Sequence, residues 1–249
     1  MLRVMSYNLK YPSETEANPW SVRRPLVAQV IDKVGAHVFG TQEGHYFQLR
    51  EVAADSGRYE WIGLGRNGGS HGEFAAIFYD PTVLQPLEYD HFWISETPTV
   101  IASQFPRTDL PRMATWVRFA LGERQLVVLN THLDHRSDEA RIHGARMIAE
   151  RIRDFDLPVI VTGDFNCAAG HSAAFTALTK DSGLVDVWGP GEGPDQGTFG
   201  GWKAPEPGGH RIDWILTRGI EVAAADVCDY HAGGQWPSDH VPAWADLLL

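Results

Sequence analysis

The clearest apolar run in the chain is Leu157-Pro158-Val159-Ile160-Val161-Thr162-Gly163, followed at once by Asp164-Phe165-Asn166. A short, unbroken apolar run predicts a strand buried on both faces, and the glycine frees the backbone to turn where the run ends. Further β runs are expected over 3–9, 37–43, 60–64, 73–79, 84–95, 113–121, 125–132, 184–188, 211–216, 222–228 and 241–248. Gly122-Glu123 is the expected turn of a hairpin. Leu26, Val27, Val30, Ile31 and Val34 recur at helical spacing from Arg24 to Val34, with Pro25 tolerated in the first turn and Gly35 as C-terminal cap. Helices are also expected over 47–54 and 173–182. Ser137 suits the N-cap of a helix reaching Arg153, with Asp138 and Glu139 in its first turn favouring the dipole. Ile142, Ala145, Ala149 and Ile152 then face the core, while Arg141, Arg146 and Arg151 read as a solvated face, with an approach of Arg141 to the site as the alternative. With no repeat or linker, the order predicts one α/β domain over residues 1–249, two sheets with outer helices.

Composition narrows the class. A chain of 249 residues with 43% hydrophobic and 21% charged residues can bury a substantial core. No apolar stretch is long enough to span a bilayer, and the first residues read as a strand, so a cytoplasmic protein without a membrane partner is expected. Cys167 and Cys228 are far apart and fit neither a disulfide scaffold nor a metal cluster. The net charge of −11 lowers the odds of an extended nucleic-acid footprint, because phosphate contacts demand a basic face.

Polar residues recur where the β runs stop: Asn8, Glu43, Asn130 with His132, Asp164 with Asn166, Asp213, and Asp239 with His240. One or two such sites occur in any fold. Several buried carboxylates brought together repel one another unless a cation joins them. Oxygen donors without a cysteine cluster indicate a hard cation such as Mg²⁺ or Mn²⁺. Asp80, beside Pro81, reads as a turn residue, and His45, His71 and His210 as surface histidines. Tyr79 and Trp214 read as core.

Taken in order, Tyr7-Asn8, Gln42-Glu43, Asn130-Thr131-His132-Leu133, Gly163-Asp164-Phe165-Asn166, Arg211-Ile212-Asp213-Trp214 and Ser238-Asp239-His240 resemble the motifs of the endonuclease/exonuclease/phosphatase superfamily. The resemblance implies a four-layered α/β/β/α sandwich and Mg²⁺- or Mn²⁺-dependent phosphoester hydrolysis. It implies Glu43 as principal metal ligand, helped by Asn8 and Asp239, and Asp164 as the residue that activates water, with Asn166 beside it. His132 and His240 would flank the phosphate. Asp213 would orient His240, and Glu73 would partner His132, as in the deoxyribonuclease branch. Arg112 matches a phosphate-contacting arginine of that branch, so Asn8, Asn166, His132, His240 and Arg112 form the implied phosphate-binding set. Substrate choice falls to the loops 68–72, 93–112 and 189–210. Trp93, Phe199 and Trp202 are candidates to stack on a base or sugar ring, although packing is the commoner fate of such residues. The expected substrate is a small soluble phosphoester, such as a phosphorylated sugar or nucleotide. Short DNA or RNA is the alternative, and no obligate protein partner is implied. A catalytically inactive binding module is the third reading, against which the intact set of acids and histidines speaks.

Overall fold

The structure, a computed structural model, describes residues 1–13, 18–180, 182–189, 192–194 and 196–249. Strand β1 (Leu2–Asn8) opens the chain, with Leu2 and Val4 facing the other sheet and Met5 and Tyr7 facing helices. Helix α1 (Trp20–Val34) begins at Trp20 rather than at Arg24. The buried Trp20 ring, whose Nε1 donates to Glu51 at 2.6 Å, and the buried Arg23 hold that extra turn. Gly35 ends the helix at φ 60°, its N–H donating to Ile31. Next come β2 (Val38–Gln42), α2 (Tyr46–Ser56), β3 (Glu60–Ile62) and β4 (Ala76–Tyr79). β4 starts at Ala76, short of the expected Glu73, because Glu73 and Phe74 pair with His45 and Gly65 as isolated bridges.

The second half supplies β5 (Gln85–Trp93), β6 (Met113–Leu121), β7 (Arg124–His132), α3 (Asp138–Arg153), β8 (Val159–Asp164), α4 (Ala173–Thr179), β9 (Val185–Asp186), β10 (Asp213–Arg218), β11 (Glu221–Val227) and β12 (Ala243–Leu248). The β6–β7 hairpin turns at Gly122, which adopts φ 59°. Ser137 caps α3 by accepting the N–H of Ala140 at 3.1 Å. Ala145 and Ile152 are fully buried and Ile142 and Ala149 partly so, and Ile148 between them is fully buried as well. Arg141 is not on a solvated face: it is buried, donating to the Asp134 carbonyl at 2.7 Å and pairing with Asp138. That guanidinium closes the turn leading into α3.

The strands form two mixed six-stranded sheets, ordered β11-β12-β1-β2-β4-β3 and β5-β6-β7-β8-β10-β9. One apolar cluster fills the space between them, with Val4, Val38 and Ile77 from the first sheet and Val117, Val128 and Ile160 from the second. The first sheet packs its outer face on α1 and α2, and the second on α3 and α4. The architecture is the expected four-layered sandwich. Each sheet contains one parallel pair, β1 with β2 and β7 with β8.

Towards the open end, a polar knot replaces the apolar layer between the sheets. Asn130 accepts from Gln42 at 2.7 Å and from Thr162 at 3.1 Å, and donates to the carbonyls of Thr41 and Ala76 at 2.8 and 2.9 Å. The sheets approach here only because position 40 is glycine. A Cβ at Gly40 would lie 2.2 Å from Thr162 Oγ1 and 2.3 Å from Asn130 Oδ1. Among the described residues, no helix is long and apolar enough to cross a membrane.

Candidate active site

Strand register assembles the site. In the second sheet His132 pairs with Asp164 and Asp164 with Asp213, so three functional side chains sit side by side across β7, β8 and β10. In the first sheet Asn8 pairs with Gln42, which places Asn8 and the following Glu43 at the same end. Asn8 spans the sheets: its Nδ2 donates to Glu43 Oε1 and to Asp164 Oδ2, both at 3.0 Å. Asp239 and His240 arrive from the segment before β12, held by hydrogen bonds from Gly200 and Gly201 to the Asp239 carbonyl. Lys10, Glu43 and Asn166 adopt φ of 59°, 62° and 52°. Asparagine tolerates that left-handed backbone, but lysine and glutamate do so at a cost of about 1–3 kcal/mol, a strain typical of functional sites.

The two histidines are held in opposite charge states. His240 donates from Nδ1 to Asp213 Oδ2 at 2.9 Å, and its Nε2 lies 3.7 Å from Asp164 Oδ2. Burial alone would lower its pKa, but the Asp213 and Asp164 carboxylates outweigh it and push the ring up to about 10. His132 accepts from Asn166 Nδ2 at 3.0 Å through Nε2 and turns Nδ1 towards Glu73 at 3.9 Å. Burial, aided by the charges of Arg112 and Arg66, holds it well below the ordinary histidine value and therefore neutral. Burial next to Asp213 pushes the Asp164 carboxyl up. Glu73 is also pushed up by burial, and its tight partner is Arg66 at 2.8 Å rather than His132.

The donor set fits a hard divalent cation. Ligand atoms of Glu43, His132 and Asp164 lie within 4.8 Å of one another. At the mouth, the Lys10 ammonium already occupies a cation's position, 3.0 Å from Asp239 Oδ2 and 3.9 Å from Glu43 Oε2. Although burial opposes it, the charges of Lys10 and His240 hold Glu43 below the ordinary carboxylate range. Asn8 points its amide nitrogen at the carboxylates, while its oxygen accepts the Lys10 N–H at 2.9 Å. In this orientation Asn8 organises the acids, and Glu43 and Asp239 offer the carboxylate oxygens that now face the Lys10 ammonium.

A cavity of about 500 Å³ opens over these groups, lined by Glu43, Asp164 and Asp239 together with Arg112, His132 and His135. A family model described as the Endonuclease/Exonuclease/phosphatase family matches residues 5–240. The chain belongs to this family. Its members are divalent-metal-dependent phosphoesterases, and so is this chain at that level of description. It is similar to the mannosyl-6-phosphatase of Bacteroides thetaiotaomicron, with 30% identity, full coverage of both chains and a TM-score of 0.90. It is also similar to an endonuclease/exonuclease/phosphatase from Bacteroides vulgatus, with 28% identity, coverage of 100% and 98%, and a TM-score of 0.92. The TDP2 of D. rerio, solved with a single-strand DNA product, shares the fold at 16% identity, coverage of 100% and 99%, and a TM-score of 0.79. No curated protein matches the chain.

All the residues implied by the family motifs converge: Asn8, Glu43, Glu73, Arg112, His132, Asp164, Asn166, Asp213, Asp239 and His240 lie within the cavity or hydrogen-bond to groups that do. Lys10, Tyr11, Leu110, His135 and Ile212 line it too and were not foreseen. Lys10, two residues beyond Asn8, had the best signal. Of the three aromatic candidates only Phe199 reaches the cavity, 52% exposed and packed edge-on against His240 with ring centres 5.0 Å apart. Trp93 is buried, and Trp202 lies over the Arg23 guanidinium.

Proposed function

We propose that the protein hydrolyses a small soluble phosphoester, a phosphorylated sugar or a nucleotide, using Mg²⁺ or Mn²⁺. The observation that carries this reading is the cavity, whose volume of about 500 Å³ suits one small ligand and whose lining combines the acids Glu43, Asp164 and Asp239 with the cations Lys10 and Arg112. The net charge of −11 and the similarity to a mannosyl-6-phosphatase support a small substrate over a long polyanion.

Glu43 and Asp239 would hold the cation, with Asn8 keeping Glu43 and Asp164 aligned. When bound, the cation neutralises phosphoryl charge. Asp164 accepts a proton from the attacking water as the water oxygen bonds to phosphorus. The elevated Asp164 pKa suits a base working near neutral pH. His240, kept charged by Asp213, stabilises the phosphoryl oxygens and donates its Nε2 proton to the leaving oxygen as the ester bond breaks. The proton on Asp164 then returns to His240 Nε2, its neighbour at 3.7 Å. Neutral His132 anchors Asn166, whose amide nitrogen donates to the His132 ring and to the Leu133 carbonyl, and Arg112 supplies the guanidinium of the same cavity.

The test is turnover of phosphate monoesters, small diesters and short DNA and RNA with Mg²⁺, Mn²⁺ or EDTA, for the wild type and Asp164→Ala. Metal-dependent hydrolysis of a small ester, lost in the variant by about 10²–10⁴-fold, is expected. Turnover of nucleic acid alone would assign the nuclease reading. Turnover that survives EDTA and the substitution would refute the mechanism.

A further inference from the structure

Lys10 joins a clamped main chain to a flexible side chain. Its backbone sits at φ 59°, a conformation that lysine adopts only under strain, and such strain persists only where the surroundings impose it. Three side chains impose it here. Asn8 Oδ1 accepts the Lys10 N–H at 2.9 Å, while Gln48 Nε2 and Arg23 Nη2 donate to its carbonyl at 3.1 and 3.0 Å. The same turn continues into Tyr11, whose N–H donates to Glu43 Oε2 at 3.2 Å. The main chain is therefore fixed beside the metal donors, and the four-carbon stem keeps its rotatable bonds. At its tip the ammonium lies 3.0 Å from Asp239 Oδ2, 3.9 Å from Glu43 Oε2 and 4.5 Å from the centre of the Tyr11 ring. Lys10 and Tyr11 both line the cavity.

We propose that Lys10 is a displaceable counter-ion of the metal site: the divalent cation takes the Asp239 and Glu43 oxygens from its ammonium, and the released ammonium then binds the phosphoryl group. Mg²⁺ and an ammonium cannot share these oxygens, because both seek the same lone pairs and like charges so close together repel. With the main chain clamped, only the stem moves, and the carboxylates that balanced its charge are then engaged by the metal. The Tyr11 ring remains a seat for the ammonium beside the cavity, and the anion that enters this cavity is the phosphoester. Metal loading and anion binding are thereby coupled through one side chain. The inference rests on the hydrolase reading for the identity of the anion, but binding alone can decide it.

The experiment is calorimetric binding of Mg²⁺, and of inorganic phosphate at saturating Mg²⁺, to wild type and Lys10→Met, together with NMR of the wild type carrying ¹⁵N-labelled lysine. The lysines are Lys10, Lys33, Lys180 and Lys203, so the Lys10 ammonium signal is identified by its absence from the variant. Lys10→Met should bind Mg²⁺ about 10-fold more tightly, because no charge-assisted hydrogen bond has to be broken first. It should bind phosphate about 10-fold less tightly, for the loss of one such bond. In the wild type, proton exchange at the Lys10 ammonium should speed up when Mg²⁺ is added and slow again with phosphate, while the other lysines stay unchanged. Mg²⁺ affinity that does not rise in the variant, phosphate affinity that does not fall, or ammonium exchange indifferent to Mg²⁺ overturns the proposal. Displacement and phosphate binding as described, in a protein that hydrolyses no phosphoester, would instead overturn the hydrolase reading and leave this one standing.

Discussion

Asp213→Asn removes a charge from the centre of the site while preserving its shape, since the amide oxygen can still accept from His240 Nδ1. In the wild type that carboxylate has two opposite effects. It is the largest influence raising His240 from 6.5 to about 10, and it adds to the burial that raises Asp164 from 3.8 to about 7. The His240 difference corresponds to about 5 kcal/mol at about 1.4 kcal/mol per pKa unit, shared among Asp213, Asp164 and Asp239. Assigning about half to Asp213, less about 1 kcal/mol recovered when Asp164 loses a like charge, leaves a net loss of about 1–2 kcal/mol at pH 7. Because the folded His240 value lies above the ordinary one, its stabilisation is complete below pH 6.5 and vanishes as pH rises through about 10. The raised Asp164 value has the same sign, so its cost grows as pH rises from 3.8 to about 7. The pH–rate profile, whose limbs belong to the coupled pair, should therefore shift as a whole towards acid by about 1–2 units in the variant. It would be measured at one saturating Mg²⁺ concentration, with NMR titration of the imidazole in metal-free protein as the direct check. An alkaline limb that stays in place, or an optimum that moves to higher pH, would refute the Asp213–His240 assignment.

Gly40→Ala drives a Cβ into Thr162 and Asn130, both tied to main-chain carbonyls, and should cost about 2–3 kcal/mol in urea denaturation, with activity falling as the sheets separate. Ser137→Ala removes the α3 cap and should cost about 1 kcal/mol, read as a lowered Tm with unchanged turnover.

Much of this molecule was legible in one dimension. The run from Val159 to Val161 had to be a buried strand, and the periodicity over 26–34 a helix, because hydrophobic spacing and turn chemistry are local properties. The strand-end acids and histidines were legible for the same reason, as polar groups placed where apolar runs stop. Spacing could not show how residues far apart in the chain meet. Arg141 recurs with Arg146 and Arg151 along one helix, yet its guanidinium is buried because a carbonyl of the preceding turn lies within reach. Glu73 reads as a partner of His132 until the turn after Arg66 folds back and brings a stronger cation against it. Charge states are equally tertiary: His132 and His240 are chemically identical in sequence. Burial, reinforced by Arg112 and Arg66, leaves one ring neutral, while the Asp213 carboxylate hydrogen-bonded to the other outweighs its burial, in a low-dielectric space that only the packing of two sheets creates.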